Sequence, residues 1–274
     1  MKLIEKLELV RKENKAMLAT NFYNLETCRG ISQAAGELQQ PVILQLTPAS
    51  IKYMGLKTAV NIARTVSSEE KVDAWVHLDH CNDIELIKSC LDEGFDSIMI
   101  DASDKAIEKK IKTSRQVVEM ASKYDVNVEA ELGYVPVPDS EIDNNKFTEP
   151  TDAKRFVDET GVTSLAVAIG TKHGFYKGEP NLDINRLKEI RKATDAYLVL
   201  HGGSGLPRES LIEAINNGIT KVNVATETKD IFMKTLKEVL KNSDEIDLRK
   251  VFPLAISEVK KLISQKLKII AMMN

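Results

Sequence analysis

The pentapeptide His77-Leu78-Asp79-His80-Cys81 closes the apolar run Ala74-Trp75-Val76 and sets a carboxylate between two imidazoles. Such a set can bind a transition metal while keeping a proton-transfer group beside it. On its own the string fits a hydrogen-bonded turn at a strand end equally well. The remaining histidines tilt the choice. The chain has four, and the other two, His173 and His201, each follow an apolar run and precede a glycine. Cys81 reads better as a small buried thiol than as a ligand.

Positioning these groups falls to short β-rich runs that alternate with segments of helical period. The runs are 16–21, 41–46, 73–79, 97–101, 126–131, 163–169, 196–201 and 220–224, with amphipathic patterns such as 26–38, 83–92, 107–124 and 184–193 between them. This spacing predicts an α/β fold, a (β/α)8 TIM barrel with an additional C-terminal helix. A doubly wound open sheet is the alternative that periodicity alone leaves open. A barrel requires its active groups at the carboxyl ends of the strands. Asn21, Thr47, Asp79 with His80, Asp101, Glu131, His173, His201 and Asn223 all end such a run or follow one closely.

Two connections are long for a compact αβ protein, 133–150 and 170–180. The first holds Asp139, Glu141 and Asp143 and reads as a lid or clamp; the second carries His173 and Gly174. After the seventh run, His201-Gly202-Gly203-Ser204-Gly205 can converge backbone N–H groups on an anion. Asn223-Val224-Ala225-Thr226 opens the helical stretch 227–240, whose first amides are expected to be unpaired donors suited to a phosphate. Segment 254–273 places apolar residues opposite Lys260, Lys261, Lys266 and Lys268. It reads as a helix packed on the barrel or a second subunit, ahead of a membrane-surface role.

With 38 basic and 41 acidic residues interspersed, the net charge of −3 gives no footprint for nucleic acid. No apolar run reaches a bilayer's thickness and residues 1–15 lack a signal-peptide core, so no membrane partner and a cytoplasmic location are expected. Cys28, Cys81 and Cys90 form no disulfide framework, which suits a reducing compartment. No linker divides the chain, so residues 1–274 read as one domain.

Taken together, segments 21–27, 41–46, 77–80, 97–103, 128–133, 164–183, 198–207 and 221–227 resemble the class II, metal-dependent aldolases of fructose- and tagatose-bisphosphate type. The resemblance implies that His80, His173 and His201 bind a catalytic zinc and that Asp79 is the acid/base. It matches Asp101 and Glu131 to carboxylates that hold a second or displaced metal ion in some members, and leaves room for a monovalent cation. Gly174, Gly202, Gly203, Ser204, Asn223, Val224, Ala225 and Thr226, with Lys177 in the same loop as Gly174, match positions that hold a dihydroxyacetone-phosphate unit. Asn21 and Thr47 join the substrate-binding set, and a homodimer or homotetramer is implied. The implied reaction breaks the C3–C4 bond of a ketose 1,6-bisphosphate, and zinc stabilises the resulting negative charge as a Lewis acid.

The chain departs from that pattern in places. Tyr134-Val135-Pro136-Val137-Pro138 replaces a glycine pair, leaving Asp139 as the candidate that moves the C3 proton. Thr47-Pro48 replaces a serine followed by an acidic residue or glycine, and Lys229 stands near a frequent arginine. A Schiff-base mechanism would need a lysine inside the barrel. Run 163–169 has none; Lys221 on the last run is a candidate substitute, but the three histidines would then lack a purpose. A zinc- and sugar-phosphate-binding barrel without activity, and a metal-dependent hydrolase, are the competing readings from other classes.

Overall fold

Runs rich in Val, Ile and Leu become strands, and the amphipathic intervals become helices that cover them. The computed structural model describes residues 1–102, 106–136 and 141–273. Its strands are β1 (Met17–Asn21), β2 (Val42–Leu46), β3 (Ala74–Cys81), β4 (Ser97–Ile100), β5 (Asn127–Leu132), β6 (Ser164–Val167), β7 (Tyr197–Leu200) and β8 (Ile219–Val224). All pair in parallel and in sequence order, and β8 returns to β1, with Leu18 opposite Val222 on one side and Val42 on the other. The sheet has no edge, so it is the (β/α)8 barrel and not the open doubly wound sheet.

The helices among the described residues are α1 (Leu3–Lys12), α2 (Leu25–Leu38), α3 (Pro48–Met54), α4 (Leu56–Glu69), α5 (Ile84–Asp92), α6 (Ile107–Ala121), α7 (Pro150–Thr160), α8 (Ile184–Ala193), α9 (Arg208–Asn216), α10 (Thr226–Lys241) and α11 (Leu248–Ile270). Local chemistry starts several of them. Asn24 caps α2 by accepting the Thr27 N–H, Asp83 caps α5, and proline occupies the first turn of α3 and α7. The final helix begins earlier than the 254–273 reading and lies along α2 and α10, burying Val251, Ala255, Val259, Ile263 and Leu267. Gly30 of α2 allows this approach, since a Cβ there would lie 2.8 Å from Val259 Cγ1. No helix among the described residues is long and apolar enough to cross a membrane.

Strand alternation sorts the side chains. Leu18, Leu44, Val76, Leu78 and Val222 face the helices and join the main apolar core. Met17, Ala19, Ile43 and Trp75 point into the barrel and meet Leu3, Leu7 and Val10 of α1, which closes the floor. Above that floor the interior turns polar: Gln45, His77, Ser97, Asn127, Glu129, Ser164 and Lys221 are all buried. Two boundaries differ from the sequence expectation. β3 runs two residues beyond Asp79 through an irregularity against β4, and β6 stops at Val167 ahead of Gly170, whose φ is +107°.

Candidate active site

The irregular end of β3 creates the site. In a regular strand Asp79 and His80 would face opposite sides. His80 instead adopts φ +48° and the β3–β4 register shifts between Leu78 and Cys81, so both side chains turn into the mouth of the barrel. A left-handed backbone at a histidine is uncommon and is tolerated where surrounding structure enforces it.

Three amides hold the Asp79 carboxylate. Asn21 Nδ2 donates to one oxygen at 2.9 Å, while Gln45 Nε2 and Asn223 Nδ2 donate to the other at 3.1 and 3.5 Å. Burial pushes its pKa up, but His80, His201, Lys221 and the Asn21 hydrogen bond together hold it below the ordinary carboxylate value.

Beside it, His80, Glu131, His173 and His201 bring one ligand atom each within 4.8 Å of one another. The outer nitrogens of two of these histidines are fixed by carboxylates. His80 Nδ1 lies 2.8 Å from Asp101 Oδ2, and His201 Nε2 lies 2.9 Å from Glu129 Oε1. Such partners set the tautomer that leaves the inner nitrogen with a lone pair for a metal. The inner nitrogens, His80 Nε2 and His201 Nδ1, stand 3.0 Å apart. At that distance they repel unless a proton or a metal cation lies between them.

The electrostatics favour positive charge there. Burial lowers the His80 pKa, yet Asp79, the hydrogen bond to Asp101 and Glu131 overcome it and raise the group to about 9. Burial raises Glu131 to about 7, and its Oε2 is buried without a hydrogen-bond partner among the described residues. His173 is lowered to about 4 by burial and then by His80, and His201 falls well below its ordinary value for the same two reasons. Three imidazoles and one carboxylate, with an orphaned oxygen among them, match the donor set of a transition-metal site.

Beneath the cluster a buried polar chain runs down the barrel. Glu129 Oε2 lies 2.7 Å from Lys221 Nζ, which lies 3.4 Å from His77 Nε2, and His77 Nδ1 meets Ser97 Oγ at 2.7 Å. Asn127 donates to Ser97 and accepts from Thr163 and Ser164. Lys221 is thus tied to Glu129 below the cleft and is not a free amine for a Schiff base. Glu129 was not singled out from the sequence, although its place two residues before Glu131 on one strand puts both on the same face.

The loops after β6 and β7 interlock. His173 N–H donates to the Pro136 carbonyl at 2.8 Å, so the proline-bearing loop steadies a cluster histidine. The Tyr176 hydroxyl accepts the Lys172 N–H and donates to the Gly202 carbonyl. At Gly202, with φ +70°, a Cβ would sit 2.4 Å from the Lys172 carbonyl oxygen, so only glycine permits this contact. Ser204 Oγ accepts the N–H groups of Ala225, Thr226 and Glu227 at 3.1 to 3.5 Å. It caps α10 from another loop, because Ala225 has no capping side chain. The expectation of unpaired amides there is corrected: an anion must share them with this hydroxyl or displace it.

These elements surround a cleft of about 510 Å³. Asn21, Thr47, Asp79, His80, His173, Gly174, Gly202, Ser204, Asn223, Ala225 and Thr226 line it, joined by Lys229 and by four residues the sequence reading passed over, Tyr23, Ala49, Ser50 and Tyr53. Glu131 and His201 lie buried below, and Gly203 and Val224 pack behind the wall without lining the cleft. Asp101 holds His80 and is not among the four clustered donors. Lys177 is exposed on its loop and does not line the cleft. Thr47 has a second task, capping α3 by accepting the Ser50 N–H ahead of Pro48. Asp139 lies outside the described residues.

The family model for class II fructose-bisphosphate aldolases matches residues 1–274. The chain belongs to the class II fructose-bisphosphate aldolase family. Members are carbon–carbon lyases, and this chain is an aldolase. Among solved structures it is similar to the YdjI aldolase from Escherichia coli K12, at 28% identity and TM-score 0.86, over 98% of this chain and 96% of that one. It shares the fold of a fructose-bisphosphate aldolase from Campylobacter jejuni at 21% identity and TM-score 0.82, over 98% and 93% of the two chains.

Proposed function

We propose that residues 1–274 act as one zinc-dependent aldolase domain that reversibly cleaves a ketose 1,6-bisphosphate. Fructose 1,6-bisphosphate is the default substrate, with dihydroxyacetone phosphate and glyceraldehyde 3-phosphate as products. The observation that carries this reading is the Asp79 carboxylate, oriented by three amides and held below the ordinary carboxylate range mainly by His80, beside a cluster of three histidines and Glu131.

His80, His173, His201 and Glu131 would hold the zinc. When bound, it supplies Lewis acidity that stabilises negative charge developing as the C3–C4 bond breaks. Asp79 takes the C4 hydroxyl proton in cleavage and returns it in condensation, a task suited to a carboxylate kept unprotonated. Asn21, Gln45 and Asn223 fix its direction. The glycine turn at 202–205 and the start of α10 receive the C1 phosphate, with Ser204 exchanging its amide partners for the anion. Asp139 is the candidate for the C3 proton, and Asp101 and Glu131 are the candidates for a second or displaced divalent ion. The exposed Leu240, Ile246, Leu248 and Leu254 support a homodimer or homotetramer.

The test is cleavage of fructose 1,6-bisphosphate with enzymatic trapping of dihydroxyacetone phosphate, before and after chelation. Activity abolished by the chelator and restored by zinc is the expected result. Full activity in the chelated protein would sink the metal mechanism. Tagatose 1,6-bisphosphate, an epimer with the same two phosphates, is an alternative substrate for the same chemistry, and one observation favours a further reading, a singly phosphorylated deoxy sugar. Lys229 is the one lysine or arginine among the described residues lining the cleft, which leaves little beyond the histidine cluster to grip a second phosphate. Relative kcat/KM across these sugars decides among them.

A further inference from the structure

Glu227 opens the first turn of α10 with its carboxylate folded back over the β7 loop. Oε1 accepts the Gly205 N–H at 3.0 Å. Oε2 lies 2.8 Å from Nζ of Lys266, which arrives from α11. Their side chains are 16% and 9% exposed, so water screens the pair weakly. Lys260 and Lys261 of the same helix instead reach surface partners, Glu37 and Glu258. Lys266 is therefore the α11 lysine that runs inward, toward the turn that holds Ser204.

That placement matters for charge. The start of a helix carries partial positive charge that attracts one anion readily. An ionised Glu227 in the first turn uses that field, and a phosphate arriving at the same turn meets a like charge. Lys266 cancels it while leaving the carboxylate oxygen that fastens Gly205.

We propose that Lys266 is a positioning residue for the phosphate cup: it neutralises Glu227, so that Glu227 can pin the Gly205 turn while the start of α10 stays available to the substrate's phosphate. The inference rests on reading that cup as the phosphate site.

The experiment titrates inorganic phosphate calorimetrically into the full-length protein and, in parallel, measures KM and kcat for fructose 1,6-bisphosphate. The variants are Lys266→Met, Lys266→Arg, Glu227→Gln and the double change Glu227→Gln with Lys266→Met, each checked by thermal melting. Lys266→Met should weaken phosphate binding and raise KM about tenfold with kcat little changed. Lys266→Arg should restore both. The double variant should regain phosphate affinity although the ion pair is gone, an outcome that a purely structural tether does not produce.

Unaltered phosphate affinity in Lys266→Met, or a double variant as weak as the single one, overturns the proposal. Should Lys266→Met not fold, Glu227→Gln decides alone. It keeps the acceptor for Gly205 and the lysine's charge, so phosphate should bind at least as tightly, and weaker binding overturns the idea. Phosphate responses as described without sugar cleavage would count against the reaction and not against Lys266. Cleavage with no phosphate response would do the reverse.

Discussion

Asp79 owes its readiness to its neighbours. Asn21, Gln45 and Asn223 reach it from β1, β2 and β8, so its carboxylate is oriented before any substrate arrives. On the proposed mechanism Asp79→Asn keeps the shape and removes the base, and should lower kcat by about 10²–10⁴-fold with zinc content unchanged by elemental analysis. A comparable loss of zinc would mean that Asp79 serves the metal and not the proton. The three clustered histidines and Asp79 were legible from residue type and strand-end position alone. Glu129, Gln45 and Tyr176 were not, because their roles depend on which partners the fold sets beside them: Glu129 matters through His201 and Lys221, Gln45 through Asp79, Tyr176 through Lys172 and Gly202. Lys177 stands differently, since it is exposed on the expected loop and does not line the cleft.

At the scale of elements, neighbouring β/α units complete one another. Ser204 caps α10 across the β7 loop, and Ser204→Ala should cost about 1 kcal/mol of stability in urea unfolding. No loss would show that the α10 amides already have adequate solvent partners. Deeper in the barrel, Lys221 and Glu129 are almost fully enclosed, at 1% and 0% side-chain exposure. Lys221→Met leaves a buried carboxylate without its cation and should destabilise by about 3–5 kcal/mol, with part recovered when Glu129→Gln is added. Equal losses in the single and double variants would show that packing, not charge, is at stake. The period of the strands predicted this arrangement only in outline. It put Lys221 inside the barrel, but which carboxylate lay opposite depended on register, which one strand's sequence does not report.

For the whole molecule, eight alternations of strand and helix, with polar residues gathered at one rim, were enough to predict a closed barrel. What alternation could not predict is how the ends of the chain are used. α1 seals the floor and α11 fills the space between α2 and α10, and these placements rest on shape complementarity such as Gly30 against Val259.

Trp75, the chain's single tryptophan, lies in that floor at 6% exposure, its indole N–H donating to the Met1 carbonyl at 3.2 Å. The protein therefore carries one indole, which can be excited selectively over its six tyrosines, at the end of the barrel away from the cleft. Its emission should ignore zinc and sugar phosphates at the rim and shift red when α1 lifts. Denaturation followed in parallel by this emission and by far-ultraviolet circular dichroism separates two cases. Coincident transitions would mean that floor and barrel melt as one unit, whereas an earlier fluorescence change would identify α1 as the first part to leave.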